Sequence, residues 1–306
     1  MKRYIFPLIF LTVLIFSCDA DDETIDEADC QEDNHKVSMS RFVKADFKSN
    51  AVSNSYSYNE LNLLSSRIRT SSTFVFEYEY IYDCSNNLIE INTDETINPE
   101  YDGSSSFYDY DDQNRLIAYN TSFQGENDYD LSYQGNVVSV SGTIWKDQNA
   151  SITLQLNDLG MVTRLDRNAP VANFEEVQYT LFEYDNKGNL IKADDYDDTG
   201  NLIYSVTVNY DNNINPYYDQ FKSIYLQRFI RVFYQGGFWA ADVISSDEFL
   251  FPYLKNNIES VVDNLCNACY PEVIKKVYTY DEQTFPDKFS LSYWGAPAAE
   301  IEVEYY

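Results

Sequence analysis

Carboxylates and thiols are the groups in this chain that could do chemistry. There are 50 Asp and Glu residues but a single histidine, His35. One imidazole on a polar segment excludes a His-based triad and a His-rich metal site. No nucleophile elbow, phosphate-binding loop, dinucleotide glycine fingerprint or zinc-protease helix motif occurs. Glycoside hydrolysis by paired carboxylates needs no histidine, so it is the enzymatic alternative to a binding role. No acid sits alone in an apolar run that would raise its pKa as a general acid requires. No catalytic residue is therefore assigned, and no cofactor is expected. Asp194, Asp195, Asp197 and Asp198 lie around one turn and raise a second alternative, a calcium-stabilised adhesion or spacer module. The calcium-loop pattern fails there, because Thr199 replaces an acid and Val206 stands where the closing Glu belongs. No metal ligand is assigned.

Five cysteines are present: Cys18, Cys30, Cys84, Cys266 and Cys269. Cys266-Asn267-Ala268-Cys269 is a CxxC, but zinc needs two further ligands and a redox motif needs a βαβ context that is not visible. An exported compartment permits disulfides. A local Cys266–Cys269 bridge and a Cys30–Cys84 bridge are expected. The aromatic candidates for ligand stacking are Phe238 and Trp239, beside Gly236 and Gly237, with Tyr217 and Tyr218. All three tryptophans, Trp145, Trp239 and Trp294, can serve as aromatic platforms or as core, and Trp239 is the one expected to be exposed. A formal net charge of −29 repels nucleic-acid phosphates, and no basic cluster offsets it.

The elements that position these groups follow from a recurring phrase. It reads YDNKGNLI at 184–191, YDDTGNLI at 196–203, YDDQNRLI at 110–117, YDCSNNLI at 82–89 and, more loosely, LNDLGMVT at 156–163. Asp185 can hydrogen-bond the backbone two residues on and start a turn. Gly188 then supplies the left-handed conformation that returns the chain in register. Gly200 and Gly160 hold the same place in two copies, and Asn86 and Asn114 hold it in two others. Asn is the next residue best able to adopt that conformation. Gly135 and Asn136 read as a two-residue turn. Between turns the pattern has period two: Phe74, Phe76, Tyr78, Tyr80 and Tyr82 share one face, with Glu77 and Glu79 on the other. With 28 Tyr and 19 Phe, cross-strand aromatic ladders are expected. The fold class is all-β: one long antiparallel up-and-down meander, curved or partly closed and barrel-like.

The rhythm stops from about 211 to 271. Pro216 interrupts a turn copy, and Tyr218, Phe221, Tyr225, Leu226 and Phe229 have helical spacing over 218–230. One short helix is expected there, with strands resuming at about 258–263 and 273–281. Irregular excursions on a rigid scaffold often carry function.

The N-terminus has a secretory signal's parts. Lys2 and Arg3 precede an apolar stretch, Ile5 to Phe16, that is short for a membrane span. Leu14-Ile15-Phe16-Ser17-Cys18 resembles a bacterial lipobox, which implies that Cys18 is lipid-modified. Asp19-Ala20-Asp21-Asp22-Glu23 resembles the surface-export signals of Bacteroidota lipoproteins, which implies outward display on the outer membrane. The organisation is a signal peptide at 1–17, a lipidated acidic tether at 18–36, and a β-meander domain at 37–306. The YD-type turns, the Tyr210-Asp211 segment running to Asn215-Pro216, the Asn256-Asn257-led strand and the final YDEQTFPDKF turn resemble a family of Bacteroidota lipoproteins of unknown function with a porin-like, open β-meander. The turns are also similar to the YD repeats of Rhs toxins and teneurins. Both resemblances imply fold and location and carry no catalytic residue. The functional expectation is a non-catalytic envelope lipoprotein that binds a glycan, a peptide or a partner protein. Its partners are outer-membrane lipid through Cys18 and no nucleic acid, and it is expected to be a monomer.

Overall fold

In the computed structural model, the turn phrases are the devices that organise the chain. The structure describes residues 42–47, 52–96, 103–122, 127–144, 147–168, 176–218, 220–234, 254–265, 272–282 and 284–305. The four Tyr-Asp phrases use their Asp in the same way, and in the copy at 156–163 Asn157 takes that role, accepting Leu159 N and Met161 N at 3.0 Å. The Asp83 carboxylate accepts the Ser85 and Asn87 amides, both at 2.8 Å, and the Asn87 side-chain amide at 2.9 Å. Asp185 and Asp197 repeat this pattern with Asn189 and Asn201. At Asp111, the Arg115 guanidinium replaces the Asn amide. The carboxylate therefore pins amides two and four residues on. The third residue after it takes a positive φ: +92° at Gly188, +82° at Gly200, +66° at Asn86 and +58° at Asn114, and Gly160, third after Asn157, has +77°. A further copy, Tyr58 to Leu64, escapes a search for Tyr-Asp because Asn59 takes the acid's role; its side chain accepts Leu61 N and Leu63 N, and Asn62 has φ +66°.

Among the described residues the chain forms 18 strands. They are β1 Phe42–Phe47, β2 Val52–Tyr58, β3 Leu64–Thr70, β4 Val75–Tyr82, β5 Leu88–Glu95 and β6 Ser104–Tyr110. Next come β7 Leu116–Thr121, β8 Asp128–Gln134, β9 Val137–Ile144, β10 Asp147–Leu156, β11 Val162–Arg167 and β12 Tyr179–Tyr184. The last are β13 Leu190–Tyr196, β14 Leu202–Ile214, β15 Asn256–Asp263, β16 Glu272–Tyr280, β17 Pro286–Tyr293 and β18 Ala296–Tyr305. Each strand pairs antiparallel with the next in sequence. β1 also pairs with β18, so the two ends of the meander meet. The all-β, up-and-down, single-sheet expectation holds.

The up-and-down path puts alternate turns at opposite ends. The phrases after β4, β6, β10 and β12 share one rim with the turns after β2, β8 and β16. The copy at 196–203, between β13 and β14, lies at the other rim. On the first rim, tyrosines lace neighbouring hairpins together. Tyr82 donates its hydroxyl to Leu64 O at 2.9 Å, Tyr110 to Leu88 O at 2.7 Å, and Tyr133 to Leu116 O at 2.8 Å. Tyr184 donates to Val162 O at 2.6 Å, Tyr210 to Leu190 O at 2.7 Å, Tyr278 to Ile258 O at 2.9 Å and Tyr305 to Pro286 O at 2.7 Å. The register shifts beside each phrase disturb the ladder where these carbonyls lie. The tyrosine at the end of one strand bonds the carbonyl at the start of the strand before it, which accounts for Tyr opening the phrase.

The sheet's two faces differ sharply. β8 alternates exposed Asp128, Asp130 and Ser132 with buried Tyr129 and Leu131, and β18 alternates Glu300, Glu302 and Glu304 with Ile301 and Val303. The buried face joins one core cluster that includes helix α1, Tyr225–Phe233. A single 3-10 turn, Lys222–Ile224, leads into it. The helix starts and ends a few residues later than the sequence spacing indicates. It is buried nearly all round, with Arg231 exposed. Phe229 and Phe233 pack edge-on against Phe182, each pair at 4.7 Å between ring centres. β14 runs on to Ile214 and β15 begins at Asn256, so the excursion is shorter than 211–271.

Candidate functional site

The excursion is held by the residues that follow the turn phrases. Leu64 N donates to Gln220 Oε1 at 3.1 Å, Leu88 N to Ser223 Oγ at 3.1 Å, and Val162 N to Tyr225 Oη at 3.0 Å. Leu64, Leu88 and Val162 thus give their carbonyls to the tyrosine lacing and their amides to the excursion. At the other end of α1, Arg167 closes the helix. Its guanidinium donates to Phe233 O at 2.5 Å, to Tyr234 O at 3.4 Å and to Thr180 Oγ1 at 3.0 Å. A cation satisfying C-terminal carbonyls also opposes the negative end of the helix dipole. The Thr180 hydroxyl passes the link to Asp195 Oδ1 at 2.5 Å. Burial pushes the Asp195 carboxyl above its ordinary value, against the pull of Thr180 and Arg167.

The excursion's bonds reach β3, β5 and β11. Over β7 to β9, between those anchors, a cavity of about 560 Å³ opens on the same rim. Its walls are the ends of hairpins, at Asn86, Asn87, Asn114, Arg115, Tyr133 and Gly135; its floor is Phe221, Ser223, Tyr225 and Leu226. The walls are braced by bonds already described. Asn87 Nδ2 also donates to Asn114 Oδ1 at 3.1 Å, tying two turns together. Arg115 lays its guanidinium 4.3 Å above the Tyr133 ring while Nε and Nη2 hold Asp111. Burial pushes the Tyr133 hydroxyl up to about 12, with Arg115 pulling the other way. Burial likewise pushes Tyr225 up to about 12, despite hydrogen bonds with Tyr184 and Val162 that favour its charged form. Both stay neutral donors at physiological pH. A hollow of this size, lined by amides, phenols and the basic side chains of Arg115 and Lys222, suits a small polar ligand.

Two further hollows flank β14, of about 570 Å³ and 540 Å³. They share Asp211, whose carboxylate accepts Asn257 Nδ2 at 3.2 Å and the Tyr280 hydroxyl.

The sequence candidates fall in different places. Tyr217 is 4% exposed and packs in the core, which leaves it no open face; this corrects its reading as a stacking platform. Tyr218 is half-buried. Phe238, Trp239 and Trp145 lie outside the described residues, as do Cys18, Cys30, Cys266, Cys269 and His35. Cys84 sits exposed in the β4–β5 turn. Trp294 is 46% exposed at the tip of the β17–β18 hairpin, with φ +45°. Asn86 and Asn114, chosen as turn residues, line the cavity as well. Arg115, Lys222, Ser223 and Tyr225 were not singled out as site residues. Nothing in the local pattern marks them, because the cavity forms only where the excursion meets the rim.

The aspartates at 194–198 do not converge. Asp194 holds Lys192 at 2.5 Å, Asp195 holds Thr180, and Asp197 is spent on its own turn. Among the described residues no group of three or more metal-binding side chains comes together. Among the described residues, Asp195 is the carboxyl raised above its ordinary value, and it is not a lining residue of the cavity.

No known family profile matches the chain, and no curated protein matches it. Among solved structures the chain is similar to a porin-like protein from Bacteroides uniformis ATCC 8492. The identity is 12% and the TM-score 0.34, covering 89% of this chain and 99% of that one. It is also similar to a TcdB2-TccC3-TEV structure, at 14% identity and TM-score 0.26, covering 54% of this chain and 11% of that one.

Proposed function

We propose that this chain is a non-catalytic, lipid-anchored module of the cell envelope, displayed outward, that binds a small polar ligand such as a glycan or peptide in the rim cavity. The observation that carries the reading is the cavity itself. Its walls are turn ends fixed by carboxylate–amide bonds, so binding costs little ordering of the site. Among the described lining residues its polar groups are amides, hydroxyls, the Arg115 guanidinium and the Lys222 ammonium.

The envelope reading rests on the lipobox-like segment ending at Cys18 and the acidic run after it. It is also supported by the outer face of the sheet. A lipid-spanning barrel needs an outward apolar band. Here exposed strand positions include Glu77, Glu79, Asp109, Asp128, Asp130, Glu300, Glu302 and Glu304. Carboxylates at those positions keep this sheet in water, and a lipid on Cys18 then supplies the attachment. A Cys30–Cys84 bridge would pin the tether to the β4–β5 turn, and a Cys266–Cys269 bridge would close its own loop; mass spectrometry of unreduced peptides tests both.

Binding is tested by screening glycans and peptides against the purified chain and against Ser85→Trp, which places an indole on an exposed part of the cavity wall. A ligand whose binding is lost in the variant supports the reading; a ligand that binds both equally places recognition elsewhere. Location is tested by surface proteolysis of intact cells. Cys18→Ala should release the protein from membranes. Replacing Asp19, Asp21, Asp22 and Glu23 with Ala should leave it membrane-bound but shielded. If the unaltered protein is already shielded, outward display is wrong.

A further inference from the structure

The polar side chains of the rim cavity share it with an aliphatic surface. Leu63, Leu116, Leu156 and Leu226 line it together with Phe221. The rings beside them are already covered: Arg115 lies 4.3 Å above Tyr133, Phe221 packs against Tyr80 at 5.2 Å, and Tyr225 packs against Phe229 at 5.6 Å. The β10–β11 turn, whose Gly160 is part of the wall, also carries Leu159, which is 80% exposed. Asn86 and Asn114 contribute side-chain amides, and Asn114 accepts Asn87 through Oδ1, which leaves Nδ2 as a donor. A side-chain amide donates and accepts as a peptide group does. The turns that build the wall are acidic. Glu60, Asp83, Asp111, Asp112 and Asp158 lie on them, against Arg115 and Lys222 in the lining. Arg115 is paired with Asp111 at 2.5 Å, and Glu60, Asp112 and Asp158 are exposed.

We propose that the cavity docks a basic peptide segment: one aliphatic side chain enters among the leucines, Asn86 and Asn114 bond the peptide groups beside it, and flanking lysines or arginines lie against Glu60, Asp112 and Asp158. The proposal rests on the binding-module reading and narrows its ligand to a peptide. A sugar ring stacks its C–H face on an open aromatic ring, and the rings here are covered by their neighbours. A leucine-lined hollow gains instead from removing an aliphatic side chain from water. The flanking charge follows from the field: a formal net charge of −29, with carboxylates on the turns around the cavity, draws cations toward this rim, and salt weakens that pull.

The test is titration calorimetry of the full chain with acetylated, amidated pentapeptides: Lys-Lys-Leu-Lys-Lys, Lys-Lys-Ser-Lys-Lys and Glu-Glu-Leu-Glu-Glu, with maltotriose as a neutral glycan. The basic leucine peptide should bind about tenfold more tightly than the serine peptide, the difference being the buried leucine side chain. It should also bind more tightly than the acidic peptide, and raised salt should weaken it. Asp112→Asn and Asp158→Asn, both at exposed positions, should each weaken it about two- to fivefold. Ser85→Trp should remove the advantage of leucine over serine. Equal binding of the leucine and serine peptides would overturn the aliphatic anchor, and equal binding of the basic and acidic leucine peptides would overturn the charge preference. A leucine advantage that survives Ser85→Trp would place the docking site outside this cavity. Maltotriose binding that Ser85→Trp abolishes, with none of the peptides bound, would overturn the peptide proposal and leave the binding module standing. No binding by these probes or by any member of the wider glycan and peptide screen would overturn the module as well.

Discussion

Replacing Gly188 with Val isolates the energetic demand of one turn. Gly188 has φ +92°, and a Cβ built there would meet only Met161 Sδ, at 3.8 Å. The side chain has room, so the whole cost is backbone strain, about 1–2 kcal/mol for a residue with a Cβ in the left-handed region. A domain of this size loses roughly 2–4 °C of melting temperature per kcal/mol, so Gly188→Val should melt about 2–8 °C lower. Lys187→Val, one residue earlier, loses only an exposed 3.3 Å contact with Asn212 and should shift by under about 1 °C. Gly188→Asn should fall between them, since Asn86 and Asn114 hold the same place at φ +66° and +58°. The assay is calorimetric or circular-dichroism melting of the purified variants. Equal melting of Gly188→Val and Lys187→Val would refute the assignment of the strain to this position.

A harsher outcome is expected for Gly142→Ala, where a Cβ would lie 2.3 Å from Asp128 O and 2.7 Å from Tyr129 Cα; backbone must move, so this variant should melt well below Gly188→Ala. Tyr110→Phe removes a donor to Leu88 O and should cost about 1–2 kcal/mol in denaturant unfolding, with the hairpin register kept by the Asp111 turn. Arg167→Met uncaps α1 and removes the cation facing Asp195, so it should destabilise by about 3 kcal/mol, and no change would show that the helix is held by its apolar packing alone. Acid should loosen the turns. Hydrogen bonds from Arg115 hold Asp111 below the ordinary value of 3.8; at Asp185 and Asp197 burial opposes the charge, but hydrogen bonds from Asn189 and Asn201 outweigh it. A carboxylate depressed in the folded state contributes stability above its unfolded pKa and loses it as pH falls through the folded one. Melting temperature should therefore drop below about pH 4, and less so in Asp185→Asn, a pH–stability profile that unchanged slopes would contradict.

The turns, and with them the strand order, were written in the sequence because each turn's requirement is local. An Asp that bonds amides two and four residues ahead, followed by a Gly or Asn at positive φ, needs nothing from the rest of the chain. Period-two alternation likewise identifies the buried side of a strand such as β8 from its own residues. The copy at Tyr58 to Leu64 was missed only because Asn59 can do the work of Asp. What the tertiary structure decided is everything that depends on distant partners. The opening Tyr of each phrase reads locally as one more aromatic for a ladder, and its bond to a carbonyl on the previous strand is visible only once hairpins stand side by side. The 211–271 break announced an excursion with a helix. It could not show that Leu64, Leu88 and Val162, from separate strands, receive that excursion, or that Tyr217 turns into the core. Nor could it place Arg115 and Lys222, more than a hundred residues apart, on one hollow. Their meeting depends on the curvature of the whole sheet, which brings β3, β5 and β11 around a single helix and leaves the rim open over β7 to β9.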